Sequence, residues 1–160
     1  MSIGGHQSPK SLKEEWLTPP WLIEALGKFD LDPCAPIIRP WDTAKKHFTI
    51  ADNGLNKEWF GRVWLNPPYG RKTDFWLARM ADHNRGTALM FARTETNMFF
   101  EHIWNSASAL LFLKGRISFH HANGTLANHS GGAPSVLIAY GEEDFHALKS
   151  CGLEGKFISL

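Results

Sequence analysis

Arg62-Val63-Trp64-Leu65-Asn66-Pro67-Pro68-Tyr69-Gly70 is the stretch on which the reading of this chain turns. Arg62 to Leu65 has the length and apolar character of a buried strand, and that strand must stop at Asn66. Pro67 and Pro68 fix φ and carry no amide proton, so the segment fits neither a helix nor a sheet interior. Their carbonyl oxygens are left with no ladder to satisfy them, which makes the elbow a rigid array of acceptors.

Working outward, Thr73 is placed to cap a helix that carries Phe75, Trp76, Met80 and Ala81 on one side. Thr87 to Ala92 then reads as a strand, Phe99, Phe100, Ile103 and Trp104 mark a further helix, and Ala109 to Leu113 and Ser135 to Tyr140 are two more apolar strands. Between those two, Ile117 to His121 and Thr125 to His129 flank Ala122-Asn123-Gly124, a hairpin signal because Asn and Gly accept positive φ. Upstream, Thr18 before Pro19 is a helix-start signal, and Leu22, Ala25, Leu26 and Phe29 recur at helical spacing, giving a helix from Pro19 to Lys28. Phe29 to Asp32 is a short strand halted by Pro33. From Ile37 to Gly61 only a brief strand at His47 to Ile50 is expected.

The order is that of an α/β protein with a mostly parallel sheet and an antiparallel C-terminal hairpin. Ligands in such sheets sit beyond the carboxyl ends of the strands. Asp32-Pro33-Cys34, Asn66 to Tyr69 and Arg93-Thr94 each follow a strand directly, so all three should converge on that edge. Only about thirty residues separate Asp32 from Asn66, whereas each strand-crossover-strand connection takes at least ~10 to 12, so one edge of the sheet must be abbreviated.

The length, 160 residues, suits one domain; residues 1–13 lack an apolar period and read as a flexible arm, leaving 14–160 as a single domain. Hydrophobic residues at 43% and charged residues at 21% exclude a disordered chain, and a net charge of +1 announces no acidic partner by itself. Cys34 and Cys151 match neither a metal spacing nor a disulfide framework, and no apolar run approaches the ~18 residues of a membrane span. A cytoplasmic protein with no membrane contact is the expectation. His120, His121 and His129 lack a cysteine or carboxylate to complete a tetrahedral set, so no metal is expected.

The chemistry that suits the elbow is alkylation of a conjugated amine. The Asn66 amide oxygen and the Pro67 carbonyl are placed to accept both protons of a planar amino group, and Tyr69 supplies a flat face for the ring. Acceptors aimed at charge that develops in the transition state contribute roughly 10²-fold to 10³-fold each. A strong base is unnecessary, because a nitrogen that has gained a methyl group becomes acidic.

The wider pattern is more specific. Trp16-Leu17-Thr18-Pro19, Phe29-Asp30-Leu31-Asp32-Pro33-Cys34-Ala35, Asp52-Asn53-Gly54-Leu55, Trp59, Val63 to Gly70 and Gly115-Arg116-Ile117-Ser118-Phe119 together resemble the phage-type DNA adenine methyltransferase (Dam) family over residues 16–141. The resemblance implies a Rossmann-like class I methyltransferase fold, S-adenosylmethionine as cofactor and double-stranded DNA as partner. It implies that Thr18 and Pro19 close the cofactor pocket, that Asp32, Pro33, Cys34 and Ala35 form the turn beneath it, and that Asp52 contacts the adenosine. Asn66, Pro67, Pro68 and Tyr69 would be catalytic, Tyr69 and Phe119 would stack on a flipped base, and Arg71, Lys72 and Arg93 would hold phosphates. Arg39, Lys45, Lys46 and His47 form a second basic cluster. The chain departs from the usual pattern in having no Gly-x-Gly after the first strand. A cytosine, RNA or glutamine amine, or a non-catalytic module, is the alternative. No separate specificity domain is evident, which leaves target recognition loose or shared across a homodimer.

Overall fold

The computed structural model describes residues 17–121, 123–126 and 133–160. The arm expected over residues 1–13, with Trp16 and His129, falls outside them. Helix α1 (Pro20–Leu26) opens on a proline, buries Leu22 and Leu26 one turn apart, and ends at Gly27, whose φ of 94° a side chain would resist. Thr18 is not its cap: Pro19 holds that position and no side chain bonds the free amides.

Strands β1 (Leu31–Asp32) and β2 (Lys46–His47) are two residues each. They are followed by a 3₁₀ turn at Gly54–Asn56, β3 (Val63–Leu65), α2 (Thr73–His83) and β4 (Gly86–Phe91). A short α3 (Asn97–Phe99) widens into a π-helical turn at Phe100–Trp104 before β5 (Ala109–Leu113) and β6 (Ser135–Tyr140). Helix α4 (Glu142–Ser150) and strand β7 (Gly155–Ser159), both unforeseen, close the fold. Strand β7 alternates weakly and is exposed at three of its five positions, so its sequence lacks the apolar run that marks the central strands.

The sheet order is β2-β1-β3-β4-β6-β5-β7. Pairings from β2 through β4 are parallel, as expected, and those from β4 to β7 are antiparallel, a larger share than a hairpin tail. The two-residue β1 and β2 are the abbreviated edge. Alternation along the strands sorts the core into two layers. Val63, Leu65, Ala88 and Met90 face Trp76, Leu77 and Met80 of α2, whereas Trp64, Leu89 and Leu137 face Leu22 and Leu26 of α1 and Leu148 of α4.

A buried ion pair ties β3 to α4 on the second of these faces. Arg62 at the head of β3 donates through Nε to both carboxylate oxygens of Asp144 in the first turn of α4, at 3.0 Å each. Asp144 is fully buried and also accepts from Thr87 Oγ1 at 2.5 Å, while the Arg62 guanidinium lies 4.1 Å from the centre of the Phe29 ring.

Of the expected hairpin, the turn and its first pairing lie among the described residues: His120 bridges Leu126 in antiparallel sense, the His121 amide donates to the Thr125 carbonyl at 2.8 Å, and Gly124 (φ 86°) turns between them. On its other side His120 bridges Leu17, and residues 127–129 of the second strand fall outside the described residues.

Candidate active site

Strands β1, β3 and β4 run parallel, so the segments that follow them leave from one edge. From β1 the chain passes to β2 on one side, and β3 then lies on the other, which makes the β1–β3 gap a topological switch point. Open α/β sheets take their ligands at such a point, beyond the carboxyl ends of the strands. The Asp32–Ala35 turn and the Asn66–Tyr69 elbow follow β1 and β3 on that side.

Asn66 is half-buried, and its side-chain amide donates to Thr18 Oγ1 at 3.3 Å. Among the described residues no hydrogen bond reaches the Asn66 side-chain oxygen or the Pro67 carbonyl. The Pro68 carbonyl differs from expectation. Thr73 is the first residue of α2 rather than its cap, and its hydroxyl donates to that carbonyl at 2.5 Å. Two of the three elbow oxygens, those of Asn66 and Pro67, are therefore left for a ligand.

Tyr69 is 46% exposed, so the elbow is open rather than packed shut. Its ring lies on Phe91, the last residue of β4, at 4.5 Å between centres and 7° between planes. Its hydroxyl accepts from the Phe91 backbone N–H at 3.0 Å, and burial of the oxygen end pushes the phenol up to about 12. Phe91 was not singled out in the sequence, although its place directly before Ala92-Arg93 at a strand end was the available signal.

Asp32 sits at the end of β1 with 3% exposure. One carboxylate oxygen accepts from Cys34 N–H at 3.1 Å and the other from the Thr43 hydroxyl. Burial outweighs these bonds and pushes the carboxyl up to about 6. The Ala35 amide is spent on the Phe48 carbonyl at 2.9 Å. Burial, and next the Asp32 charge, drive the Cys34 thiol far above its ordinary range. Asp32 thus shapes the turn through its own hydrogen bonds. Pro33 is buried beneath Gly54, where a Cβ would stand 2.0 Å from the Pro33 carbonyl oxygen. Trp59 donates to the Gly54 carbonyl at 2.9 Å and stacks on Trp76, which fixes the loop bearing Asp52 over the turn. Asp52 itself is exposed and accepts from the Thr49 amide at 2.8 Å, a bond that lowers its carboxyl below the usual range.

Arg71, Lys72 and Arg93 are exposed, and the Arg93 guanidinium lies 5.9 Å from the Phe91 ring centre. The second basic cluster is partly engaged within the protein, and burial, with Arg39 and Lys46 near enough to add to it, lowers the His47 imidazole below the usual range. Lys45 pairs with Asp30 at 3.6 Å, Arg39 with Asp42 at 3.5 Å, and the His47 ring accepts from the Thr43 amide at 3.2 Å. Strand β2 runs parallel to β1, so Lys45 and Lys46 enter it at the end opposite the elbow. Phe119 is half-buried against the layer formed with α1, so its ring belongs in part to the core. Asp74, Glu101 and His102 bring ligand atoms within 4.8 Å of one another, with His102 bonded to Asp74 at 2.9 Å. Two clefts of about 530 and 350 Å³ lie elsewhere, one lined by Leu148, Cys151 and Phe157, the other by Asn84, Gly141 and Phe145.

Residues 5–150 match the family model described as DNA N-6-adenine-methyltransferase (Dam). The chain belongs to the Dam family. The DNA N-6-adenine-methyltransferase of Escherichia phage T1 is 32% identical over an alignment of 116 residues that covers 66% of this chain and 48% of that relative. This Dam-family chain therefore spans about half the length of the curated relative it matches. No solved structure matches it. Every elbow residue and the Asp32–Ala35 turn fall within the Dam match, and no described helix is long and apolar enough to cross a membrane.

Proposed function

We propose that this Dam-family chain transfers a methyl group from S-adenosylmethionine to the exocyclic amine of a flipped-out adenine in double-stranded DNA. The observation that carries the reading is the pair of unengaged oxygens, Asn66 Oδ1 and the Pro67 carbonyl, standing beside the open Tyr69 ring at the switch point between β1 and β3. Family membership supports the reading, and the sheet order with its switch point supports a Rossmann-like class I methyltransferase architecture.

The residues present fit a nucleoside cofactor in part. The switch point between β1 and β3 is where open α/β sheets take such ligands. Pro33, Cys34 and Ala35 would form its floor and Thr18 and Pro19 its wall. Asp32 acts through the turn it ties, since both its oxygens are bonded within the protein. The Asp52 carboxylate reaches a ribose only by giving up or sharing the Thr49 bonds. S-adenosylmethionine would supply an electrophilic methyl group, its carbon–sulfur bond breaking as the nitrogen–carbon bond forms.

The chain's own groups do the rest. Asn66 Oδ1 and the Pro67 carbonyl accept the two N–H bonds of the amine, drawing the nitrogen lone pair out of conjugation and stabilising the positive charge it acquires. Phe91 holds one face of Tyr69, leaving the opposite face for the base, where stacking offsets ~1 to 3 kcal/mol of the unstacking cost. The open edge lets the released proton pass to water. Arg71, Lys72 and Arg93 ring the elbow and would neutralise phosphates. Incubation with DNA and S-adenosylmethionine followed by nucleoside mass spectrometry tests this. N6-methyladenine, lost in Asn66→Ala, is the expected product; methylcytosine alone, or no methylated nucleoside, overturns the reading.

A further inference from the structure

The loop between β1 and β2 is strapped from many sides although it contains no regular structure. Arg39 donates to the Pro36 carbonyl at 3.2 Å, Thr43 bonds Asp32, and the Thr43 and Ala44 amides both point at the His47 ring at 3.2 and 3.4 Å. Within this loop Trp41 is half-buried, and its indole N–H donates to the backbone carbonyl of Thr18 at 2.9 Å. Its ring meets the His120 ring edge-on at 5.0 Å and 90°.

His120 is the residue whose backbone exchanges two hydrogen bonds with Leu17, at 2.8 and 3.1 Å. Gly124 packs against the same loop, for a Cβ there would lie 3.0 Å from Pro40 and 3.6 Å from the Trp41 ring. Leu17-Thr18 is thus held by the His120 backbone on one side and by the Trp41 indole on the other. Thr18, 3% exposed, presents its hydroxyl to the Asn66 amide from within that clamp.

We propose that Trp41 is a positioning residue for methyl transfer: by fixing the Thr18 backbone it fixes the Thr18 hydroxyl, which binds the amide end of Asn66 and leaves the Asn66 oxygen facing the reacting amine. The proposal rests on the function proposed above. The Thr18 hydroxyl, accepting from the amide nitrogen, holds the Asn66 side chain at one position with its oxygen on the side away from Thr18. Trp41 touches neither substrate nor reacting atoms. Its effect runs through one carbonyl and one hydroxyl.

Trp41→Phe keeps a ring against His120 and removes only the donor. Misplacing a catalytic group by a full ångström costs on the order of hundredfold, so a smaller loosening in Trp41→Phe should lower kcat several-fold, at most the about tenfold of losing the Thr18 hydroxyl itself, with both KM values within about twofold. Trp41→His, which restores a ring N–H, should recover part of the loss. In a Thr18→Val background, Trp41→Phe should cost little more, since the hydroxyl through which it acts is gone; full, multiplicative losses in the double variant overturn the proposal. A second readout needs no activity. In 15N-labelled, unliganded protein the Asn66 side-chain amide pair, assigned by its loss in Asn66→Ala, should shift and broaden in Trp41→Phe. An unmoved Asn66 pair in a folded Trp41→Phe protein overturns the role of Trp41 whether or not the chain methylates DNA. A wild-type protein without methyl transfer would instead refute the proposed function, leaving the amide signal to decide this point alone.

Discussion

Thr18 Oγ1 and Asn66 Nδ2 stand 3.3 Å apart across 48 residues of sequence, and this contact holds the Asn66 amide with its oxygen directed away from Thr18. The hydroxyl is buried, so its removal leaves the amide hydrogens without a partner. Thr18→Val, nearly isosteric, should lower kcat about tenfold and stability by about 1 kcal/mol, the usual net worth of one hydrogen bond. Asn66→Ala should lower transfer by at least roughly 10²-fold, the loss of one transition-state partner. Cofactor affinity, measured by titration calorimetry, should change little in Asn66→Ala, and a large loss of affinity there would contradict the assignment.

Tyr69 is held to Phe91 twice, by ring stacking and by its hydroxyl. The stacking face alone would make Phe and Trp equally acceptable at this position, but the hydroxyl bond separates them. Tyr69→Phe should retain stacking and lose the anchor, with kcat falling several-fold, less than the tenfold that 1.4 kcal/mol would produce. Tyr69→Ala should lose far more, and Phe91→Ala should reproduce part of that loss without any residue touching the base being changed. Single-turnover methylation rates on a short duplex distinguish these, and equal rates for Tyr69→Phe and Tyr69→Ala would remove stacking from the account.

Gly54 lies so close to the Pro33 carbonyl that a methyl group would collide with backbone. Gly54→Ala should push the Asp52 loop off the Asp32–Ala35 turn and weaken cofactor binding at least about tenfold while the chain stays folded. Calorimetric titration with S-adenosylmethionine reads this directly. An unchanged affinity would show that the loop does not border the cofactor.

Asp32 gives a pH dependence of definite sign. Burial raises its carboxyl from 3.8 to about 6, so between those values the folded chain binds the proton more readily than the unfolded chain. The stabilisation from this group is fully present below about pH 4 and is lost as pH rises through about 6. The shift corresponds to on the order of 2 to 3 kcal/mol. Asp32→Asn carries no such charge, so its stability relative to wild type should improve between pH 4 and 7 and then level off. Urea unfolding across that range checks it, and a parallel pair of curves would mean that the carboxyl is not perturbed.

The Arg62–Asp144 pair is buried and charged on both sides, so breaking one half strands the other. Asp144→Ala should cost about 3 to 5 kcal/mol, measured by chemical unfolding, a large part of a small domain's whole stability. Asp144→Asn, which keeps two acceptor or donor positions in the same shape, should cost less.

Local chemistry was legible in the sequence. Two prolines after a run of apolar residues end a strand wherever that strand lies, and the three motif segments share an edge because short strands and crossovers leave few alternatives. The central strands and helices α1 and α2 followed from apolar spacing for the same reason. What the sequence could not disclose were partners chosen by sheet order: Thr18 for Asn66 rather than for its own helix, Thr73 for the Pro68 carbonyl, Phe91 for Tyr69, and Asp144 for Arg62 across 82 residues. Hydroxyls, carboxylates and indoles bond whatever the fold brings within reach, and nothing in residue type or spacing ranks a partner nearby in the chain above one delivered by a neighbouring strand. Residue type fixed where the backbone turns; only the packed sheet decided which side chains hold the elbow open.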